Sequence, residues 1–266
     1  MYPRTKAGEE KYRHKKRIIE INLILDHITR FAQSVYSQPR DLQILEFGSG
    51  PGFQISYLEQ LGRVVGSDIY ISDGIYQKLP QIEFSQCSIT DTPFEDAQFD
   101  LLFSNHVIEH IPDLPRAFAE MKRIGHKKTI YAFSIPTNIW LLLSLPAKYY
   151  LKVRKVFEYV SKTENGQPPQ PINPSEQPTL AKKSIVPRAL DKLTPKGHGE
   201  ITDFAACYEA FKIDSWRKLF EEHGFIVKEI QPLLLYASSE WPIVPITGAF
   251  NRFNVCSSVL FLMHQR

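Results

Sequence analysis

Ile44-Leu45-Glu46-Phe47-Gly48-Ser49-Gly50-Pro51-Gly52 is the stretch on which the fold turns. A short apolar strand, Gln43–Phe47, runs directly into a Gly-x-Gly-x-Gly bend. Helical character follows over Phe53–Leu61, with Gly62 placed to end it. Glycine is needed where backbone takes positive φ or passes a ligand without a Cβ. The helix after such a bend aims its free N–H groups at the same spot. Dinucleotide binders use G-x-G-x-x-G, with the pyrophosphate on the helix N-terminus. Here the third glycine comes one residue early, and Glu46 stands just before the first. A carboxylate there repels a pyrophosphate and suits a ligand carrying an ammonium and a sulfonium. An NAD-dependent oxidoreductase is disfavoured on both counts.

Outward from the bend, strand and helix alternate. Val64–Ser67 reads as a second strand ending at Asp68, Ile82–Ser85 as a third, Phe99–Phe103 as a fourth, and Thr129–Ser134 as a fifth stopped by Pro136. Asp113 is placed to cap a helix reaching Arg123, with Pro115 in its first turn. Upstream, Ile18, Ile21, Leu25, Ile28 and Ala32 recur at steps of three and four, so Glu9–Tyr36 reads as an amphipathic helix. Downstream, Asp214–His223 reads as a helix with Asp214 as cap and Gly224 as stop, and Phe225–Ile230 and Val255–Met263 read as closing strands. This alternation predicts an α/β fold: a doubly wound, mostly parallel sheet with helices on both faces. Right-handed crossovers put the strands' C-terminal ends on one edge, where such sheets bind ligands.

In that context the bend resembles motif I of the class I S-adenosyl-L-methionine (SAM)-dependent methyltransferases of the small-molecule type. The resemblance implies a Rossmann-like, seven-stranded sheet whose last strand is antiparallel. It implies SAM as the cofactor, with Glu46, Gly48, Ser49, Gly50 and Gly52 around its methionine part. Asp68 ends a strand about twenty residues past the bend, where an acid meets ribose hydroxyls in nucleotide-binding α/β units. The resemblance gives it both ribose hydroxyls of SAM, with Ile69 packing on the adenine. The segment Cys87–Asp100 is similar to the family's stretch after the third strand. Ser88 stands where many members have the acid that bonds the adenine amino group, which leaves that contact to Ser88 and the Ile89 backbone. Ser104–Asp113 resembles the family's "xxVLEHxxD" segment and puts Asn105 and His106 beside the methyl group. The Pro-Pro-aromatic motif of base-methylating enzymes is absent here, so a nucleic-acid acceptor is disfavoured.

His106, Glu109 and His110 also spell H-x-x-E-H, the pattern of inverted zinc peptidases. The sequence offers no obvious third ligand, and the same residues fit the methyltransferase segment in register, so no metal is expected. Methyl transfer asks the protein mainly to position the acceptor and exclude water. A hydroxyl or ammonium acceptor also needs a base, and histidine suits the task. The candidates are His106, His110 and His198. His198 lies in Pro195-Lys196-Gly197-His198-Gly199-Glu200, ahead of Cys207-Tyr208-Glu209. Trp140, Trp241 and Tyr236 are candidates to line an apolar acceptor pocket.

The chain has 266 residues and a formal charge of +3, unremarkable for a globular protein. Lys11, Arg13, His14, Lys15, Lys16 and Arg17 crowd the N-terminal helix, as a solvated face or a contact for an acidic partner. Cys87, Cys207 and Cys256 lie far apart, with neither zinc spacing nor a disulfide framework, which fits a reducing cytoplasm. No signal-peptide pattern and no apolar run of about 20 residues is read. Residues 139–160 are amphipathic and lysine-rich, as a covering helix or as a peripheral membrane contact that holds a lipid-like acceptor. The expected organisation is a helical segment over 1–40, a SAM-binding core over 41–136, a cap or insertion over 137–212 with a proline-rich loop at 165–179, and completion of the sheet over 213–266. The expected activity is methyl transfer to a hydroxyl, amine or carbon of a small or lipid-like acceptor. The competing reading is a methyltransferase-like binding protein without turnover, which the serine at position 88 favours and the intact glycine bend disfavours.

Overall fold

The computed structural model describes residues 6–36, 41–146, 198, 201, 203–237, 243–246 and 255–266. Five parallel strands, β1 (Leu42–Phe47), β2 (Gly62–Asp68), β3 (Glu83–Gln86), β4 (Phe99–Asn105) and β5 (Gly125–Pro136), come first. Three more follow: β6 (Phe225–Leu235), β7 (Val244–Pro245) and β8 (Ser258–Gln265). Their order across the sheet is β3-β2-β1-β4-β5-β8-β6-β7. β8 slots antiparallel between β5 and β6. The seven expected strands are all present. The two-residue β7, pairing with Leu234 and Leu235, adds an eighth at the edge.

The sheet is buried on both faces, and alternate residues of each central strand go to opposite cores. Leu45 and Phe47 of β1, Leu102 of β4, Tyr131 and Phe133 of β5, and Phe261 of β8 pack on one face with α4 (Leu114–Ile124) and α6 (Ile213–Glu222). Ile44, Leu101, Phe103, Ala132 and Leu262 pack on the other with α1 (Lys6–Val35) and the short α2 (Ile55–Leu58). Helices on both faces of a mostly parallel sheet make a doubly wound α/β fold. β1 pairs with β2 on one side and β4 on the other, so chain order reverses there and the ends of β1 and β4 flank a crevice.

Local signals explain most boundaries. Asp113 caps α4 through a hydrogen bond from the Arg116 backbone N–H (3.1 Å), and Gly62 ends the helical turn after α2. On α1, Ile21, Leu25, Ile28 and Ala32 are buried. α6 starts one residue earlier than expected. Lys212 is its N-cap, and Asp214 sits in the first turn, where its charge favours the helix dipole. The helix after the glycine bend is shorter than read. Phe53 and Gln54 stay in the turn, and Glu59–Leu61 is a 3-10 turn. Two short helices, α3 (Gly74–Lys78) and α5 (Phe204–Ala210), were not legible as patterns. Residues 138–146 are helical. The rest of the amphipathic stretch to 160, the proline-rich loop and Trp241 lie outside the described residues. Among the described residues no helix is long and apolar enough to cross a membrane.

Candidate active site

The glycine bend supplies the floor of a cavity of about 690 Å³. Gly48 has φ of 72°, and a Cβ there would collide with the Val107 side chain, so only glycine lets β1 close against the end of β4. Gly50 has φ of 51°, and a Cβ there would meet nothing within 4 Å. It opens onto empty space, as backbone that cradles a ligand must.

Behind the bend runs a polar relay across three strand ends. The Gln54 amide donates to Glu46 Oε1 (2.9 Å), the Asn105 amide donates to Gln54 Oε1 (2.6 Å), and the Ser134 hydroxyl donates to Asn105 Oδ1 (2.6 Å). Glu46 is buried, and its second oxygen has no hydrogen-bond partner among the described residues. Burial pushes its carboxyl up to about 8, against the hydrogen bond from Gln54 and with the charge of Asp68 adding to the rise. Glu46 thus places a buried carboxyl with an orphaned oxygen beside the open glycine bend, a group that could meet a cationic ligand.

At the end of β2, Asp68 Oδ2 accepts the Gly50 backbone N–H (2.9 Å) and Oδ1 accepts that of Tyr70 (3.2 Å). Ile69 and Tyr70 beside it are 75% and 72% exposed, a large apolar area with no core to enter. The end of β3 adjoins, since the Cys87 N–H donates to the Asp68 carbonyl (3.0 Å). Ser88 lies one residue further, and its hydroxyl is turned to its own loop, 2.7 Å from the Thr90 hydroxyl. The Ile89 side chain points into the core. Asp68, Ile69, Ser88 and Ile89 thus gather at neighbouring strand ends, outside the walls of the main cavity.

The other half of the cavity is built on β4. His106 takes φ of 57°, rare for a residue with a Cβ and costing roughly 1–3 kcal/mol. Its N–H is tied to the Ser134 carbonyl (2.9 Å), and its Nε2 lies 3.1 Å from Glu20 Oε1. Glu20 is buried on α1 and also accepts from the Ser258 hydroxyl (2.7 Å). Lys16, one turn earlier, sits 3.4 Å from its other oxygen and 4.1 Å from the centre of the Tyr236 ring. Burial alone would raise the Glu20 carboxyl, but Lys16, His106 and Ser258 together hold it far below the usual carboxylate range. Lys16 is likewise held above the usual lysine range despite its burial. An ionised carboxylate can only accept, so the hydrogen between Glu20 and His106 belongs to Nε2. Nδ1 is the ring nitrogen left on the other side, 3.9 Å from Glu109 Oε1.

His106, His110 and His198 all line this one cavity. The rings of His110 and His198 meet edge to face at 4.9 Å, and Trp140 touches His198 at 4.8 Å. Gly48, Ser49, Gly50 and Asn105 line it too, while Glu46 and Gly52 stand behind the bend. Trp140 and Tyr236 are in the wall, as expected. The N-terminal helix is the unexpected contributor: Tyr12, Arg13, Lys16, Arg17 and Glu20 form one side of the cavity. A signal was present in the sequence. Stepping back by four from Ile28 and Ile24 along the buried stripe of α1 gives Glu20, Lys16 and Tyr12, so a core-facing stripe turns polar as it reaches the site. Gln54 carried no such signal.

Comparison with known proteins agrees with this geometry. A family model described as a methyltransferase domain matches residues 45–133, from the glycine bend through β5. The chain is 30% identical over 94 residues to a 2-phytyl-1,4-naphtoquinone methyltransferase of Trichormus variabilis, covering 31% of this chain and 41% of that protein. It is 29% identical over 102 residues to a trans-aconitate 2-methyltransferase of Deinococcus radiodurans, covering 36% and 38%. The match therefore spans about two fifths of the length of these relatives. Among solved structures, the CurJ carbon methyltransferase shares the fold with a TM-score of 0.51 at 12% identity, over 92% of this chain and 54% of that one. Residues 45–133 of this chain thus match a methyltransferase domain, and the sheet around them has the fold of a solved carbon methyltransferase.

Proposed function

We propose that the chain transfers a methyl group from SAM to a hydroxyl oxygen of a small acidic acceptor. The observation that carries this reading is a single cavity joining the open glycine bend to His106 beneath a wall of Arg13, Lys16 and Arg17. SAM bound at the bend supplies an electrophilic methyl group on a sulfonium centre. Glu46, locked by the Gln54–Asn105–Ser134 relay, would take the ammonium of its methionine part. Asp68 would take the ribose hydroxyls, and the exposed Ile69 would cover the adenine. The Ser88 hydroxyl is engaged with Thr90, so the adenine edge would rely on backbone at this turn.

On the acceptor side, His106 is the best placed of the three histidines to act as base. Its orientation is fixed through Nε2 by ionised Glu20, and Nδ1 is left to take the hydroxyl proton. Ser258 and Lys16 hold Glu20 in turn, so the base is set by residues from α1, β4 and β8. Arg13 and Arg17 lie on the solvent side of the wall and suit a carboxylate or phosphate on the acceptor. The Deinococcus radiodurans relative is named for trans-aconitate, an acidic acceptor of this kind.

The test is transfer of label from methyl-labelled SAM to a panel of small hydroxy acids and their neutral amides. Turnover of acids over amides is expected. Arg17→Glu should raise KM for the acid at least about tenfold, the value of one charge-assisted contact, with S-adenosylhomocysteine binding unchanged. Transfer confined to neutral or lipid-like acceptors would overturn the acidic assignment. Cofactor binding with no transfer to any acceptor would favour the binding-protein reading.

A further inference from the structure

We propose that Glu109, His110 and His198 form a binding site for one divalent transition-metal ion at the acceptor end of the cavity. One ligand atom from each of the three lies within 4.8 Å of the others. Two come from the short turn after β4, and the third arrives from residue 198, nearly ninety positions along the chain. The H-x-x-E-H pattern that lacked a third ligand in sequence acquires one in space.

The chemistry of the donors is that of zinc, cobalt or manganese rather than calcium: two imidazoles and one carboxylate. Glu109 is the strongest single indication. Its side chain is 1% exposed, and its Oε2 has no hydrogen-bond partner among the described residues. Two histidine nitrogens, His106 Nδ1 and His110 Nε2, each lie 3.9 Å from its Oε1. A buried carboxylate oxygen left without a partner is destabilising unless a cation meets it. Tetrahedral ligands at 2.0–2.1 Å from a metal stand about 3.4 Å apart, so closure asks for side-chain shifts of roughly 1 Å. His110 is 47% exposed and free to make that shift, while Trp140 and Phe211 brace the His198 ring. Three protein ligands leave a coordination position open toward the cavity, as in metal sites that bind substrate.

The class of acceptor follows, on the footing of the methyl-transfer reading above. A metal with an open position beside His106, able to expand to five-coordinate as substrate binds, selects a molecule with two adjacent oxygens, such as an α-hydroxy acid. Coordination would lower the pKa of the hydroxyl whose proton passes to His106 Nδ1.

The experiment uses the full chain stripped with chelator and titrated with Co2+ alone, followed by its visible d–d absorption and by calorimetry with Zn2+. One ion per chain is expected. His198→Ala and Glu109→Gln should each weaken binding by more than the roughly 10–100-fold that loss of a supporting group costs at known sites. His110→Ala, at an exposed position, covers the case in which Glu109→Gln fails to fold. Circular dichroism and S-adenosylhomocysteine binding of each variant report on the fold independently of the metal. Absence of one-to-one binding, or binding unchanged in His198→Ala and His110→Ala, overturns the site. Glycolate, an α-hydroxy acid, added to the Co2+ form should change its spectrum, and an unchanged spectrum overturns the acceptor with two adjacent oxygens. Since metal is read without SAM, loss of methyl transfer with metal binding intact would count against the proposed activity alone.

Discussion

Asp68→Ala is expected to weaken S-adenosylhomocysteine binding on the order of 100-fold, measured by calorimetry. The side chain stands at the end of β2, where its two oxygens accept the Gly50 and Tyr70 backbone N–H groups. It therefore does two jobs. It holds the glycine bend in shape, and on the proposed reading its remaining lone pairs would meet the ribose hydroxyls. Hydrogen bonds to a charged group contribute roughly 1.5–3 kcal/mol each. Losing two gives about 3 kcal/mol or more, and each 1.4 kcal/mol is a factor of ten. Asp68→Asn keeps one acceptor for the Gly50 N–H and should fall between wild type and Ala. Wild-type affinity in Asp68→Ala would remove the end of β2 from the cofactor site.

The second large effect is at His106. His106→Gln should lower kcat by about 100-fold or more, the usual contribution of a positioned base, with cofactor binding within a few-fold of wild type. Glu20→Gln separates the base from its support. A neutral amide no longer fixes the hydrogen on Nε2, so kcat should drop and its pH profile move. The same change leaves partly buried Lys16 without its counter-charge, which typically costs about 3–5 kcal/mol and should lower Tm by several degrees. A His106→Gln enzyme with unchanged kcat would pass the role to His110 or His198. A Glu20→Gln protein with normal kcat and a lowered Tm would make the Lys16–Glu20–His106 cluster a purely structural one.

Much of this was written in the order of residues. Both cores are legible because β1, β4 and β5 are largely apolar strands whose alternate positions face different helices, and the glycine bend marks a tight passage from strand to helix with a carboxylate before it. Position 68 was legible for the same reason: a strand end at a fixed spacing. What could not be read was placement across long separations. Gln54 links Glu46 to Asn105 only once the bend is folded. Glu20 and His106 are 86 positions apart, and His110 and His198 are 88 apart, so their meeting is a product of topology. The basic N-terminal cluster was read as a solvated face or an acidic-partner contact. Its exposed members fit the first description, yet Lys16 is partly buried on a stripe that turns polar at the site. Short α3 and α5 escaped because one or two turns carry too few positions to show a period.

The central claim is that the bend after β1 seats the ammonium end of a nucleoside cofactor against the buried Glu46 carboxyl. Calorimetric titration of S-adenosylhomocysteine and, separately, NAD into the full chain at pH 6.5 and 7.5, each in two buffers of different ionisation enthalpy, tests it most directly. With the Glu46 carboxyl pushed up to about 8, the free protein holds that proton over this range. An ammonium placed beside it favours the ionised form, so binding should release a proton to the buffer, and affinity should rise with pH by up to about tenfold per unit. One-to-one binding of S-adenosylhomocysteine with proton release, and no heat from NAD, is the expected result. NAD binding in its place, or S-adenosylhomocysteine binding with no proton exchanged, would contradict the claim.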